Sequence, residues 1–422
     1  MKPISGILLA FLFWSLPAAA DTLRPGDDVA ICGDSITEQR MHSVLIEDYL
    51  LMCQPVPIPE VQQFGWSGET IRGLLSRVKN DVLPFRPTVV TLCYGMNDGG
   101  YTTTNPRTVA DFAKDTEATV QILKAGGARL ILVGSPGAVD TERFKTWFIA
   151  KCSPDAYNQT LDDLGQAAKA VAEREGAVWV DVHGPMLAAM ARAKAKYGQD
   201  YPLAVDGVHP PWNGQLVMAY SFLKALGCTG DIGTITLDAR TGAAEASEGH
   251  KILSAAGGRI EIESSRYPFC FVDDPKDPLS TRAVLDCVPF NEDLNRFRLV
   301  VHHAAAKMKV TWGTESRVFT PAELERGINL AAVFLDNPFH DAFAAVDAAV
   351  KAQQAYETPA VKSMLHSLAD WRRFLPERQA EYDQLQALAV AKDRELNQAA
   401  RAALRPVRHV LEVSEVSITG EP

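Results

Sequence analysis

Five short apolar runs organise residues 27–227, at 28–32, 56–62, 88–93, 129–133 and 177–182. Most do not alternate apolar with polar residues, so they do not read as half-exposed strands. Continuous apolar runs of this length suit strands covered on both faces, as in a parallel sheet. Helical patterns lie between them, near 42–53, 69–82, 107–125, 158–175 and 185–197, and another runs from 213 to 226. Strand–helix alternation predicts an α/β domain with a parallel sheet between two helical layers. Such sheets bind ligands beyond the carboxyl ends of their strands. The residues just after each run are therefore the informative ones.

The first run ends in Gly33-Asp34-Ser35-Ile36-Thr37. The second is followed by Phe64-Gly65-Trp66-Ser67-Gly68-Glu69-Thr70, and the third by Tyr94-Gly95-Met96-Asn97-Asp98-Gly99-Gly100. Gly134-Ser135-Pro136-Gly137 follows the fourth, and Asp206-Gly207-Val208-His209-Pro210 precedes the last helix. All are rich in glycine or small polar residues, which let backbone approach a ligand.

Ser35, delivered by an abrupt strand end, is the candidate nucleophile. A serine hydroxyl attacks at neutral pH only with a base in reach and a group that orients the base. His209 is the candidate base, since imidazole titrates near neutrality and Pro210-Pro211 hold its backbone extended. Asp206, three residues upstream, is placed to turn back onto the ring. Gly68, Asn97 and the Ser35 N–H are candidate oxyanion donors. Protonation of His209 is expected to reduce the rate near the ordinary imidazole pKa of about 6.5. Asp34 and Asp98 are expected to hold loops through hydrogen bonds. Trp66, Tyr94 and Tyr101 suit either an acyl or sugar pocket or rim packing. For Glu38 and His42 the pattern favours a solvated helix face over a supporting role behind the nucleophile. No Gly-x-Ser-x-Gly occurs, so the mark of the α/β-hydrolase nucleophile elbow is absent from the sequence.

Four blocks in this order, at Ser35, Gly68, Asn97 and His209, resemble the blocks of the SGNH (GDSL) hydrolases. The resemblance covers about residues 26–228. It implies a flavodoxin-like three-layer α/β/α sandwich, with Ser35 as nucleophile, His209 as base, Asp206 as triad acid, and Ser35, Gly68 and Asn97 as oxyanion donors. It implies hydrolysis of esters or thioesters through an acyl-serine, with no cofactor and no metal. Gln63 departs from the asparagine that many members carry two residues before the first glycine of the second block.

The pattern changes near residue 229. Strand-like text with tight turns runs from 232 to 317 and predicts a mostly antiparallel β unit. Helical text follows from 338 to about 405, with Pro376 separating two helices, and 410–416 suits a final strand. The expected organisation is a signal peptide at 1–20, a hydrolase domain at 21–229, a β-rich accessory unit at 230–336 and a helical segment at 337–422. Lys2, the apolar stretch 7–16 and Ala18-Ala19-Ala20 carry the signal-peptide expectation, and with it a secreted or periplasmic location without a membrane span. A net charge of −10 argues against nucleic acid as partner. Of seven cysteines, Cys270 and Cys287 flank a polar loop and are candidates to pair. His302-His303 would point to opposite faces of a strand, which disfavours a shared metal. The resulting expectation is a secreted serine esterase acting on a small-molecule or glycan ester, with O-deacetylation of a carbohydrate favoured. The alternatives are a lipase or arylesterase, or a glycan-binding protein without activity.

Overall fold

The computed structural model describes residues 22–416, so the expected signal peptide at 1–20 lies outside the described residues. Strands β1 (Asp28–Gly33), β2 (Glu60–Gln63), β3 (Val89–Cys93), β4 (Leu130–Gly134) and β5 (Val178–Val180) form one sheet. Its order is β2-β1-β3-β4-β5 and every pairing is parallel. This is the flavodoxin-like order.

The two faces of β1 show why the runs carried no alternation. Val29 and Ile31 pack with helices His42–Met52, His183–Tyr197 and Trp212–Ala225. Ala30 and Cys32 pack in a second cluster with helices Ile71–Asp81 and Pro106–Ala125. Side chains on both faces of a strand must be apolar when both faces are covered. Strand β2 begins at Glu60, later than expected, because Pro57 and Pro59 have no N–H to give a ladder. Helix Pro154–Glu175 begins earlier than expected, where the Ser153 hydroxyl accepts from the Ala156 N–H at 3.2 Å.

The β-rich region is mostly antiparallel, as expected, and is divided between two sheets, with one parallel pair. Arg296–His302 runs parallel to Asp231–Asp238 within a four-stranded sheet. A five-stranded antiparallel sheet holds the final strand, Val407–Glu415, at its centre. That strand is locked by a buried chain of hydrogen bonds. The Trp312 indole N–H donates to His409 Nδ1 at 3.2 Å, which leaves the proton on Nε2, 2.9 Å from Ser264 Oγ. Ser264 Oγ is in turn 2.8 Å from His250 Nδ1, whose Nε2 lies 3.0 Å from the Ile232 carbonyl. Cys270 and Cys287 are buried and free, so the candidate pairing does not form. His302 and His303 each face a separate carboxylate, Glu325 at 2.7 Å and Asp238 at 2.9 Å. No described helix is long and apolar enough to cross a membrane.

The C-terminal helices cover the open edge of the sheet. Val61 and Gln63 of β2 turn their backbone away from β1. The Val61 N–H donates to Asn397 Oδ1 at 3.0 Å, and the Val61 carbonyl accepts from Gln353 Nε2 at 2.7 Å. The Gln63 N–H donates to Glu357 Oε2 at 2.8 Å. Side chains of helices His340–Pro359 and Gln379–Ala403 thus complete a ladder that an exposed edge would leave open.

This docking buries acids. Burial pushes Glu47 up to about 8 and Asp393 up to about 7, and raises Glu357 as well. A carboxyl raised on folding stabilises the protein below its unfolded pKa, and that contribution is lost as pH rises toward the folded value. For Glu47 the window runs from its ordinary value of 4.5 to about 8. Glu47→Gln is neutral throughout. Its melting temperature should exceed that of the parent protein at pH 8 by about 2–4 °C. The gap should close at pH 5, as measured by calorimetry at both values.

Candidate active site

Strand β1 stops at Gly33, and Asp34 turns the chain into the short helix Ser35–Glu38. The Asp34 carboxylate caps it, accepting from the Ile36 N–H at 2.9 Å. Ser35 is left partly exposed at the carboxyl edge of the sheet. Its Oγ lies 2.8 Å from His209 Nε2, across 174 residues of chain. His209 Nδ1 is 2.7 Å from Asp206 Oδ2. The other Asp206 oxygen accepts the N–H groups of Val208 at 2.9 Å and His209 at 2.8 Å. The structure therefore brings Ser35, His209 and Asp206 into one line.

The electrostatics follow from that geometry. Burial resists ionisation of Asp206, but the imidazole and the two backbone N–H groups overcome it and hold the carboxyl at about 2. Asp206 in turn raises His209 above its ordinary value, against the opposing effect of burial. Asp34 and Asp98 differ. Burial pushes both up to about 7 against their backbone hydrogen bonds. Asp98 accepts from the Ile71 and Gly95 N–H groups, each at 3.0 Å. Both acids tie loops, as the sequence suggested.

The candidate oxyanion donors stand on the two neighbouring loops. A Cβ on Gly65 would fall 2.2 Å from the Glu38 backbone nitrogen, so only glycine lets the second loop press against the Ser35 helix. Gly68 has φ +75°, the left-handed region that glycine alone enters freely. Asn97 is oriented from both ends. Its Oδ1 accepts from the Tyr101 hydroxyl at 3.0 Å, and its Nδ2 donates to the Glu69 carbonyl at 3.0 Å. An amide nitrogen carries two N–H bonds, so one is left for an incoming oxygen. Tyr101 itself sits at φ +58° and is held by stacking on Tyr157, 5.2 Å between centroids.

Several supporting residues carried no sequence signal. Glu69 is buried and takes Arg77 on both oxygens, at 2.6 and 2.7 Å, and the Tyr94 hydroxyl at 2.7 Å. Tyr94 is thus interior packing rather than a pocket wall. The solvated face expected for His42 and Glu38 is overturned. His42 is fully buried with Nδ1 2.6 Å from Gln215 Oε1, and burial lowers its pKa to about 4. Glu38 accepts from the Ser67 N–H and from Lys362 Nζ, because its position faces the second loop rather than water. On another side of His209, Trp147 meets the imidazole edge-on at 5.7 Å, and the adjacent Phe148 is 84 % exposed. Their segment is fastened to the His209 turn at Asp140, whose N–H donates to the Gly207 carbonyl at 2.9 Å and whose carboxylate takes Lys194 at 2.8 Å.

Residues 31–216 match the model of the GDSL-like lipase/acylhydrolase family. An acetylxylan esterase of Geobacillus stearothermophilus is 27 % identical over 165 residues, covering 39 % of this chain and 70 % of that protein. The solved structure of a gut microbial diltiazem-metabolizing enzyme covers 94 % of this chain and 100 % of its own, with a TM-score of 0.72 and 21 % identity. At that identity the likeness is one of fold, and it extends through the C-terminal sheets and helices. Family match, sheet order and the four motif blocks agree: residues 31–216 are a domain of the SGNH (GDSL) hydrolase family, and the chain is a serine ester hydrolase.

Proposed function

We propose that Ser35 is the nucleophile, His209 the base and Asp206 the group that orients it. The observation that carries this reading is the continuous contact from Asp206 through His209 to Ser35 Oγ, at 2.7 and 2.8 Å. Attack forms the bond from Oγ to the acyl carbon while the hydroxyl proton passes to His209 Nε2. The carbonyl oxygen becomes an oxyanion facing the N–H groups of Ser35, Gly68 and Asn97. His209 then returns its proton to the departing alcohol oxygen. Water, deprotonated by His209, releases the acid and restores Ser35.

We further propose that the alcohol half of the ester is a carbohydrate and the acyl group acetate. The leaving oxygen must approach His209 Nε2, so the alcohol lies on the imidazole side. Trp147 stands there, and the bare ring of Phe148 packs against Trp147 with 5.2 Å between centroids. Flat aromatic faces suit the apolar faces of sugar rings, and an exposed aromatic beside a polar rim marks a ligand surface. The acetylxylan esterase relative supports the same substrate class. An aryl alcohol would meet the same surface, which keeps an arylesterase as the second reading. Export, carried by the pattern at 1–20, would bring such an enzyme to polymeric glycans outside the cytoplasm.

Ser35→Ala should lower ester turnover by at least about 10³-fold. The acid limb of kcat/KM should have its midpoint above the ordinary imidazole value, since His209 must be neutral to accept a proton and Asp206 raises it. Asp206→Asn should slow the reaction and move that midpoint to lower pH, measured as a rate profile from pH 4 to 9. Substrate class is tested on acetylated xylo-oligosaccharides, ethyl acetate and nitrophenyl esters of rising chain length. Phe148→Ala should raise KM for the acetylated oligosaccharide about tenfold and leave ethyl acetate unchanged. Preference for long-chain nitrophenyl esters with no acetate released from the glycan would establish the lipase alternative instead.

A further inference from the structure

The loop that presents Gly68 is fastened from outside the hydrolase domain. It leaves β2 at Gln63, whose side chain is bonded at both ends. Gln63 Nε2 donates to Thr358 Oγ1 at 2.8 Å, and Gln63 Oε1 accepts from the Gly65 N–H at 3.0 Å. Helix His340–Pro359, which supplies Thr358, runs directly into a π-helical turn, Ala360–Leu365. Such turns often place side chains at functional sites. Lys362 lies on this one, and it reaches two groups of the loop.

The first is Trp66. Lys362 Nζ stands 4.9 Å from the centre of the indole, and the Arg77 guanidinium 5.0 Å from it. His366, one turn on, meets the same ring edge-on at 4.8 Å, and its Nδ1 lies 3.0 Å from Asp81 Oδ2. The second is Ser67, through Glu38. Lys362 Nζ lies 2.8 Å from Glu38 Oε1, while Glu38 Oε2 accepts from the Ser67 N–H. Glu38 closes the helix that begins at Ser35, and Ser67 immediately precedes Gly68. One carboxylate thus joins the nucleophile's helix, the donor loop and the C-terminal segment. Lys362 and Glu38 are both shielded, at 25 % and 20 % side-chain exposure. A charge pair so placed is held more firmly than one in open water.

We propose that Lys362 is a positioning residue for the Gly68 oxyanion donor, acting through Glu38 and Trp66, so that the C-terminal helical segment is a working part of the esterase. The inference rests on the roles assigned to Ser35 and Gly68 above. Without the ammonium, Glu38 loses its counter-charge and turns toward water, and Ser67 loses its anchor. The donor one residue on then drifts from the position the oxyanion occupies. Ground-state binding of a small ester needs no oxyanion donor, so the loss belongs to the transition state.

The test is steady-state kinetics of the full chain on 4-nitrophenyl acetate, with melting temperatures in parallel. Lys362→Met should lower kcat about tenfold, less than the full loss of a donor, with KM within about twofold. Lys362→Arg, which can still pair with Glu38, should recover most of the rate. Glu38→Gln should lose as much as Lys362→Met, and the double variant should be no worse than either, as expected for two residues on one path. Covalent trapping by a phosphonate ester, whose oxygen takes the oxyanion position, should slow in step with kcat. The proposal is overturned if kcat stays within twofold in Lys362→Met. It is also overturned if Lys362→Arg fails to recover the rate, if the two losses multiply, or if the loss lies in KM and follows the melting temperature. Should Lys362→Met not fold, Glu38→Gln carries the same expectation and the same refutation. Ser35→Ala separates the levels. If it retains the parent rate, the assigned site is wrong. If it is inactive while Lys362→Met is unchanged, only the positioning role fails.

Discussion

Ser35 Oγ and His209 Nε2 must be held within a few tenths of an ångström although 174 residues separate them. Long loops cannot do this, so each partner is brought by something stiff. Strand β1, paired on both sides with β2 and β3, carries Ser35 to the sheet's edge. The His209 turn is held by Asp206, which accepts two backbone N–H groups within the turn, and by its contact with the segment beginning at Asp140. Asp140 is itself fixed by Lys194 and by the N–H groups of Glu142 and Arg143. A Cβ on Gly207 would fall 2.4 Å from the Phe144 nitrogen, so that close approach needs glycine as well.

Environment divides the labour among carboxyls near one imidazole. Asp206 is partly open and surrounded by donors, so it stays ionised and stabilises a charged His209. Asp34 is buried and pushed up to about 7, so it serves the helix cap and is only partly ionised near neutral pH. Residues of one type take two roles because their surroundings move their pKa values apart. Glu69 shows a third solution. It is buried but paired with Arg77 and Tyr94, and the Arg77 guanidinium also donates to the Phe64 carbonyl at 2.7 Å. Removing one partner of such a group would strand a charge in the interior, which costs far more than the pair contributes.

The sandwich was legible because doubly covered strands leave a local trace, an apolar run of limited length. The blocks at Ser35, Gly68, Asn97 and His209 were legible because glycine and small polar residues cluster where backbone meets ligand. Glu38 and His42 were misread because helical spacing says which residues share a face and not what covers that face. Here Gln215 covers His42, and Ser67 and Lys362 cover Glu38. The roles of Glu69, Arg77 and Trp147 depend on contacts between distant segments, and no spacing encodes them. The division of the strands past residue 229 into two sheets leaves no local trace, for a related reason. Alternation marks a strand but not its partner, and Asp231–Asp238 pairs in parallel with a strand some 60 residues further on.

The placement of the C-terminal helices follows from a weakness of the parallel sheet. An edge strand needs cover, and β2 follows a proline-rich stretch that gives it only four residues of ladder. Gln353, Glu357 and Asn397 satisfy its open side. A parallel strand, however, ends where the ligand binds, so whatever covers the edge of β2 also lies over the loop that leaves it. Covering the edge with a helix that continues past Thr358 therefore sets that helix against Trp66 and Glu38 without further design. Protection of an exposed ladder and contact with the loop that carries Gly68 arise from one packing event. This explains how a segment more than 300 residues from Ser35 comes to touch the helix that carries it.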